Sequence, residues 1–372
     1  MTPEKPTFYR AGIIGCGQIA GGGGPKAPAA PARQGAGQTP DLGPMPFPNT
    51  HAGVYHRHPR IRLVAAADTD EGRLNAFGKR WGVGALYRDS QEMLESEQLD
   101  IVSIAASSRA HYKLTMQLAK YPVKGLFLEK PVARTLDEAD EMISACESSG
   151  IEVVVDHTRS FDPYYRAAKS LIDNGEIGRL HTVMSNWRKG ISFNASHLFD
   201  LLRCIVGADA DWVFCHLDED RSELQWGPYH VSEAQLAADP GASAYIVYKN
   251  GVRAYLNMCL ASAEFEAVEF IGTQGRIRLG RYGPRWWKVA ESHGRGMAVE
   301  WPFPAQHEAR TGMYTAVDEL VRAIETGERP TSTLQDGRTV LELTVALLMA
   351  GQRGEVVRLP IADTSFVAEA LW

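Results

Sequence analysis

Residues 11–20 read AGIIGCGQIA, a short apolar run that ends in the pattern G-x-G-x-x-A. The run predicts a buried strand, and the glycines predict a tight turn into a helix. The first glycine makes the turn, the second lets the backbone approach a pyrophosphate, and the small third residue lets helix and strand pack closely. Amides at the helix N-terminus would hold the anion. The predicted cofactor turn comprises Gly15, Gly17, Gln18, Ile19 and Ala20. A glycine turn made for steric reasons alone is the alternative.

An acidic residue tests this interpretation. A dinucleotide-binding fold places Asp or Glu about 20 residues after the turn, where it binds the ribose. Asp68 ends the next predicted strand, Ile61–Ala67, but lies 51 residues after Gly17. Residues 21–50 hold seven of the 35 Gly and seven of the 20 Pro, so they cannot form a helix or a central strand. Removing these 30 residues restores a spacing of 21. The sequence therefore predicts an insertion that interrupts the first helix.

The function of this insertion is left open by its composition. It begins directly after the phosphate turn, so we expect a flap over the active-site mouth, an arm that contacts another subunit, or a surface excursion without a function. Asp68 itself favours NAD, because its charge would repel the 2′-phosphate of NADP. Arg62 and Arg73 are nearby, so NADP stays the alternative. A helix N-cap is the alternative role of Asp68.

The two halves of the chain carry different patterns. Strands alternate with helices up to about residue 156, which predicts a parallel, doubly wound sheet. Two hairpin signals follow, at Asn250-Gly251 and at Gln274-Gly275. The sequence predicts an α/β protein with a Rossmann domain over residues 1–156 and a second α/β domain, with an open, mostly antiparallel sheet, over residues 157–372. A late helix over residues 336–350 is apolar nearly all round, and we expect it to lie between the domains.

Composition excludes several classes of partner. The net charge is −6 and no basic tract is present, which argues against nucleic acid as a ligand. The five cysteines form no CxxC pair, so neither a metal site nor a disulfide framework is predicted. The sequence contains no run of 18 apolar residues, so it predicts no membrane helix, and the N-terminus lacks a secretory pattern. We therefore expect a cytoplasmic protein that has no membrane partner.

A lysine stands two residues after the strand predicted over the GLFL run, residues 125–128. Glu129-Lys130-Pro131 stands at the carboxyl end of a predicted parallel strand, the edge at which such sheets bind ligands. A lysine there would contact the cofactor or the substrate. An exposed loop lysine is the alternative.

Together, these motifs resemble the Gfo/Idh/MocA family of NAD(P)-dependent sugar and polyol oxidoreductases. The likeness continues along the chain at His111, at Arg159–Pro163 (RSFDP), at Asn174–Gly178 (NGEIG), at Ser196–Leu202 (SHLFDLL), at Asp336–Arg338 (DGR) and at Val357–Pro360 (VRLP). The resemblance implies a Rossmann domain followed by an α/β domain with an open sheet. It also implies that Lys130 is the catalytic lysine near the nicotinamide and that His197 is the second acid/base group.

Further site residues are predicted around these two. The cofactor site would add Ser107, His111 and Glu129, with Lys130 itself, to the glycine turn and Asp68. The substrate site would contain Arg159, Trp187, Asn194, His197 and Asp200. Histidine, with an ordinary pKa near ~6.5, suits proton acceptance, so we assign that role to His197 and the polarisation of the substrate oxygen to Lys130. The two roles could be reversed, and His197 could instead cap its helix.

The sequence departs from the family pattern at several positions. Many members carry an acid four residues before the histidine, where this chain has Phe193, followed by Asn194. Ser160 replaces the second arginine of a usual pair, and Ser107-Ser108 stands where a proline is usual. Arg188 and Lys189 could bind a phosphate or a carboxylate of the substrate, and a solvated strand end is the alternative. Because Lys130 and His197 are both present, these changes predict a different substrate and not an inactive protein.

The function expected is hydride transfer between nicotinamide and a secondary alcohol or ketone of a sugar, amino sugar or polyol. One alternative is a redox-neutral sugar lyase or glycosidase that holds NAD tightly. Another is a non-catalytic sensor that binds a dinucleotide. The resemblance further implies a homodimer or homotetramer that assembles through the C-terminal sheet.

Overall fold

The protein is described here by a computed structural model. The described residues are 8–22, 50–187, 190–192, 194–218, 240–258, 266–280, 283–292, 295–304 and 311–368. Residues 23–49 of the predicted insertion, and the site candidates Arg188, Lys189 and Phe193, lie outside them.

The described residues form two compact units. The first consists of Met1–Ala133, Glu138–Phe161 and Glu308–Gln335, and the second of Arg134–Asp137, Asp162–His307 and Asp336–Trp372. The elements up to residue 155 are β1 (Tyr9–Ile14), α1 (His51–Arg57), β2 (Ile61–Ala67), α2 (Glu71–Trp81), β3 (Ala85–Tyr87), α3 (Ser90–Ser96), β4 (Ile101–Ile104), α4 (Ser108–Leu118), β5 (Gly125–Leu128), α5 (Leu136–Ser149) and β6 (Glu152–Val155). After a 3-10 turn over Thr158–Phe161, they are α6 (Pro163–Asp173), β7 (Leu180–Asn186), α7 (Ala195–Val206), β8 (Ala210–Leu217), β9 (Ala242–Tyr248), β10 (Arg253–Asn257), β11 (Ala267–Gly272), β12 (Gly275–Leu279), β13 (Arg285–Ser292), β14 (Arg295–Trp301), α8 (Gly312–Thr326), α9 (Leu334–Arg353) and β15 (Val357–Arg358).

The first unit contains a six-stranded sheet in the order β3-β2-β1-β4-β5-β6. Every neighbouring pair in it is parallel. Every residue of β4 and β5 is buried, as expected for strands that are covered on both faces. This order is that of a dinucleotide-binding fold, so the predicted Rossmann sheet is confirmed.

Two short elements of this unit were not predicted. Strand β3 has three residues, too few for an alternating pattern to be recognised. Helix α3 follows it, and the Asp89 side chain accepts a hydrogen bond from the Gln91 amide at its start. The order β3-β2 at the sheet edge therefore depends on residues whose sequence pattern is weak.

The chain returns to the first unit late in the sequence. Helix α8 contributes Met313, Val317, Leu320 and Val321 to the same buried cluster as β1 and β4. It lies so close to β5 that a Cβ on Gly125 would be 2.7 Å from Ile324. The predicted boundary at residue 156 therefore does not account for α8. The apolar face of a helix shows that it packs on something, but the sequence does not show which sheet it covers.

The second unit contains a nine-stranded sheet in the order β14-β13-β12-β11-β7-β10-β9-β8-β15. Its β7–β10 pair is parallel and the other described pairs are antiparallel. The predicted hairpins are present as β9–β10 and β11–β12. The prediction of a mostly antiparallel sheet is therefore confirmed. Among the described helices, none is long and apolar enough to cross a membrane.

Candidate active site

The glycine turn directly follows β1. Gly15 has a φ of +91°, and a Cβ on it would lie 2.7 Å from the backbone nitrogen of Ala106, so glycine is required there. A Cβ on Gly17 would meet no described atom within 4 Å. Ala20 is fully buried, whereas Gln18 and Ile19 are exposed. The turn thus has a closed side that packs on the sheet and an open side that can accept a pyrophosphate.

The glycine turn is hydrogen-bonded to the start of α1, on the far side of the insertion. The amide of His51 donates to the carbonyl of Ile19 (3.1 Å), and that of Ala52 donates to Ala20 (3.0 Å). Each bond joins residues 32 positions apart, whereas a continuous α-helix joins residues four apart. The two bonds are therefore those that a continuous helix would make if 28 residues were removed. Trp81 Nε1 donates to the carbonyl of Gly21 (3.1 Å), where the chain leaves the turn.

Asp68 ties the end of β2 to the glycine turn. One carboxylate oxygen accepts from the amide of Cys16 (2.7 Å), and the other accepts from the amide of Asp70 (2.8 Å) and from the Arg73 guanidinium (3.1 Å). Burial alone would raise the pKa of Asp68, but these hydrogen bonds hold it below the ordinary value. Asp70, and not Asp68, is the N-cap of α2. Asp68 is therefore an ionised group at the cofactor end of the sheet.

Ser107 and His111 stand at the carboxyl end of β4. Ser107 is exposed at the N-cap position of α4, where its hydroxyl makes no capping bond. His111 is buried, and its ring nitrogens lie 2.8 Å from the carbonyl oxygen of Pro131 and 3.1 Å from that of Ala106. Burial lowers the pKa of His111. The His111 ring thus contacts the backbone directly after Lys130. A contact of His111 with a cofactor stays a prediction.

The Glu129-Lys130-Pro131 segment leaves β5 at the same edge of the sheet. Lys130 is nine-tenths buried, and its bond to Pro131 is cis. Glu129 is buried beside it, with Oε1 at 3.0 Å from His51 Nε2 and Oε2 accepting from the Lys130 amide at 3.2 Å. Both residues therefore belong to one packed group below the sheet edge, and Lys130 is not an exposed loop lysine.

Two residues of this group were missed by sequence reasoning. His51 follows the insertion, which hides its place in the first helix. Asp156 directly follows β6, as Glu129 follows β5, and the paired strands bring the two carboxyl groups together. A carboxylate immediately after a predicted parallel strand is a signal that could have found Asp156.

Arg159 lies in the 3-10 turn of the first unit, half-buried, and its charge acts on Asp156. The remaining substrate candidates belong to the second unit. Trp187 is buried at the end of β7, and its Nε1 donates to the carbonyl of Asn194 (3.0 Å). Asn194 precedes α7, where its own side chain makes no capping bond. The Trp187 bond therefore fixes the chain just before His197.

Helix α7 presents His197 and Asp200 differently. His197 is half-buried, whereas Asp200 is fully buried and accepts from the Nε of Arg203 (3.1 Å). The same guanidinium pairs with Asp336 at 2.9 Å. Asp200 therefore has a charged partner on its own helix, and its contact with a substrate stays a prediction.

Comparison with known proteins gives a consistent result. Residues 43–157 match the model described as "Oxidoreductase family, NAD-binding Rossmann fold", and residues 190–278 match that of the GFO/IDH/MocA C-terminal domain. The first match begins beyond the glycine turn, on the far side of most of the insertion. Together the two matches cover more than half of the chain.

Individual relatives are distant but extend over most of the chain. The D-apiose dehydrogenase of Paraburkholderia graminis is 24% identical over 345 residues, which is 84% of this chain and 87% of the relative. The myo-inositol 2-dehydrogenase of Thermotoga maritima is 25% identical over 303 residues, 76% of this chain and 87% of the relative. The structure of the Lactobacillus casei scyllo-inositol dehydrogenase, with NAD(H) and scyllo-inositol bound, has a TM-score of 0.70 at 17% identity and covers 94% of this chain and 99% of its own.

Proposed function

Because the chain belongs to the GFO/IDH/MocA family of NAD-binding oxidoreductases, we propose that it transfers a hydride between NAD and a secondary alcohol or ketone of a sugar, amino sugar or polyol. The observation that carries this proposal is the position of Lys130. It is held by buried contacts at the carboxyl edge of the sheet that also carries the glycine turn. Ligands of open α/β sheets bind at this edge.

The residues fit an NAD molecule. The open side of Gly17 leaves room for the pyrophosphate, and Asp68 offers a carboxylate to the ribose hydroxyls. NAD, when bound, supplies the acceptor for the hydride that leaves the alcohol carbon. The ionised Asp68 disfavours a 2′-phosphate, which supports NAD over NADP.

Two side chains of this protein would act on the substrate oxygen. Lys130, as an ammonium, stabilises the negative charge that develops on that oxygen. His197 takes the hydroxyl proton, since an imidazole with an ordinary pKa near ~6.5 is a good base at neutral pH. Arg159, Trp187 and Asn194 would bind the other hydroxyl groups of the substrate.

The substrate class follows from the relatives and from one difference. D-apiose and inositol dehydrogenases are among the similar proteins, so a polyhydroxylated ring or chain is the class we propose. Asn194, without an acid at position 193, can bind a hydroxyl group but cannot act as a base. The substrate would therefore differ from inositol at the position that contacts this residue.

We also propose assembly through the open face of the second sheet. A row of apolar side chains crosses β8, β9, β10 and β7 on that face: Phe214, Tyr245, Tyr255 and Met184. Phe214 is 43% exposed, Tyr255 47% and Met184 50%. On the opposite face, the paired neighbours Val213, Ile246, Ala254 and Val183 are buried. A contiguous exposed apolar face is typical of an interface, and a second copy of the chain is the partner proposed.

A substrate screen tests the proposed function. Purified protein would be mixed with NAD and a panel of sugars, amino sugars and polyols, and NADH formation followed by absorbance. We expect at least one compound to give NADH, with the rate lost in His197→Ala. Calorimetric titration of dialysed protein with NAD is the second measurement, and the absence of binding to both NAD and NADP would overturn the proposal.

A further inference from the structure

Three buried ionisable side chains lie next to Lys130 in the first unit. They are His51 on α1, Glu129 after β5 and Asp156 after β6, and their exposed fractions are 0%, 6% and 2%. Leu128 pairs with Val155 in the parallel β5–β6 ladder, and the Asp156 amide donates to the Leu128 carbonyl (2.9 Å). The sheet register therefore forces Glu129 and Asp156 to emerge side by side.

Both oxygens of Glu129 are engaged. Oε1 lies 3.0 Å from His51 Nε2, and Oε2 accepts from the Lys130 amide at 3.2 Å. Asp156 Oδ2 lies 4.0 Å from the same nitrogen of His51. One carboxyl oxygen of Glu129 and one of Asp156 lie within 4.8 Å of each other. Two carboxyl groups that are this close and both buried do not ionise together, which favours one proton on the pair.

The surroundings decide which carboxyl group is the acid. Burial, together with the charge of Glu129, raises the pKa of Asp156 well above the ordinary value. Burial also opposes ionisation of Glu129, but His51, Lys130 and the hydrogen bond from Asp156 lower its pKa. Lys130 and Arg159 oppose the rise in the pKa of Asp156, because their charges favour its ionised form. The charge of Glu129 also acts on His111 of α4. Asp156 is thus the acid and Glu129 the carboxylate.

We propose that Asp156 holds a proton between itself and Glu129, so that one negative charge and not two faces Lys130, and that Asp156 is in this way a positioning residue for that lysine. The proposal rests on the role given to Lys130 under the proposed function. A second carboxylate beside Lys130 would bind the ammonium more tightly and draw it from the substrate oxygen. The Asp156 proton also orients the Glu129 carboxylate that accepts from the Lys130 amide.

A divalent cation is the competing occupant of this cluster. One donor atom from each of the three residues lies within 4.8 Å of the other two. The ammonium of Lys130 opposes a second cation here, because two positive charges would lie together in a buried place of low dielectric constant. A proton shared by the two carboxyl groups would occupy the place of the metal. A metal analysis is therefore part of the test.

Infrared spectroscopy of the unliganded protein tests the shared proton directly. A protonated carboxyl group has a C=O stretch that carboxylates lack, and ¹³C labelling of all aspartates would shift this band if Asp156 is the acid. The difference between the wild type and Asp156→Asn should contain the band at neutral pH, whereas the difference for the exposed control Asp173→Asn should show carboxylate bands alone. An unshifted band, carboxylate bands alone for Asp156→Asn, or one divalent ion per chain that this variant loses would each overturn the proposal. The labelling experiment uses the wild type, so it does not depend on the folding of a variant.

Kinetics then test the effect on Lys130. Asn can donate a hydrogen bond to Glu129 as the protonated acid does, so Asp156→Asn should keep kcat/KM within about threefold at neutral pH, whereas Asp156→Ala should lose about tenfold. The wild type should lose activity as the pH rises through the pKa of Asp156, and Asp156→Asn should lack that part of the profile. Equal losses in the two variants would show a merely structural role. If Lys130→Met retained full turnover while the acid band was present, the role given to Lys130 under the proposed function would fail and the shared proton would stand.

Discussion

The backbone amide of His51 donates a hydrogen bond to the carbonyl of Ile19, although 32 positions separate the two residues in sequence. This bond joins the glycine turn to the first residue of α1 across the insertion. It also places the His51 side chain against Glu129, at 3.0 Å. The glycine turn and the lysine segment are therefore connected through His51, the first residue of α1.

This bond predicts the length of deletion that the fold accepts. Removing residues 23–50, which is 28 positions, should join Gly22 to His51 in helical register. We expect this variant to keep the melting temperature of the full chain, and its affinity for NAD should stay within about threefold. Removing residues 23–48 would leave two extra residues and rotate the helix by about 200°. That variant should lose both properties, as measured by thermal unfolding and calorimetry. If the two deletions behave alike, the register interpretation is wrong.

The same feature shows how far sequence reasoning extends. Spacing alone connected Gly17 with Asp68 and located the insertion, because local turn chemistry leaves a clear pattern. The contact of His51 with Glu129 could not be predicted, since it depends on where the chain re-enters the helix. The contact of Arg203 with Asp336 was missed for a related reason, because tertiary packing sets it. The contact of Arg203 with Asp200 is local, at i and i+3 of one helix, so its spacing is a signal that could have found it.

Replacing Lys130 should lower the turnover rate without unfolding the protein. Lys130→Met keeps the length of the side chain and removes its charge, so kcat should fall about 10²- to 10³-fold, as when one stabilising donor is removed from a developing oxyanion. The matched control is Lys124→Met, just before the same strand, where the lysine pairs with Asp100 at 51% exposure. Steady-state rates on the substrate found in the screen provide the measurement. Unchanged kcat in Lys130→Met would remove the lysine from the mechanism.

Asp68 and Arg73 predict a change of cofactor preference. In Asp68→Ser the repulsive carboxylate is gone and the guanidinium that it held is released toward a 2′-phosphate. We expect the ratio of kcat/KM for NADP to that for NAD to rise about tenfold or more, corresponding to one charge-assisted contact. Adding Arg73→Gln should abolish this gain. A gain that survives the second substitution would show that Arg73 has no part in it.

Asp68 also predicts how stability depends on acidity. Its pKa is lowered in the folded protein, so its stabilising contribution is present above the unfolded value, about 3.9, and is lost as the pH falls through the folded value. The wild type should exceed Asp68→Asn in urea midpoint at about pH 6, and the difference should shrink toward about pH 3. A series of urea unfolding curves measures both. A difference that stays constant over this range would mean that Asp68 stabilises through packing and not through its charge.

The open sheet face predicts an assembly that a single charge can break. Tyr255 lies within the apolar row, between Tyr245 of β9 and Met184 of β7, and is 47% exposed. Tyr255→Asp should bury an unpaired carboxylate in an interface on this face and shift the protein to monomers, because such a charge costs several kcal/mol. Light scattering coupled to size exclusion measures the mass. Lys169→Asp is the matched control, because Lys169 is exposed on α6 and not on the sheet, and it should keep the mass of the wild type. If Tyr255→Asp keeps that mass as well, then the assembly does not use this face.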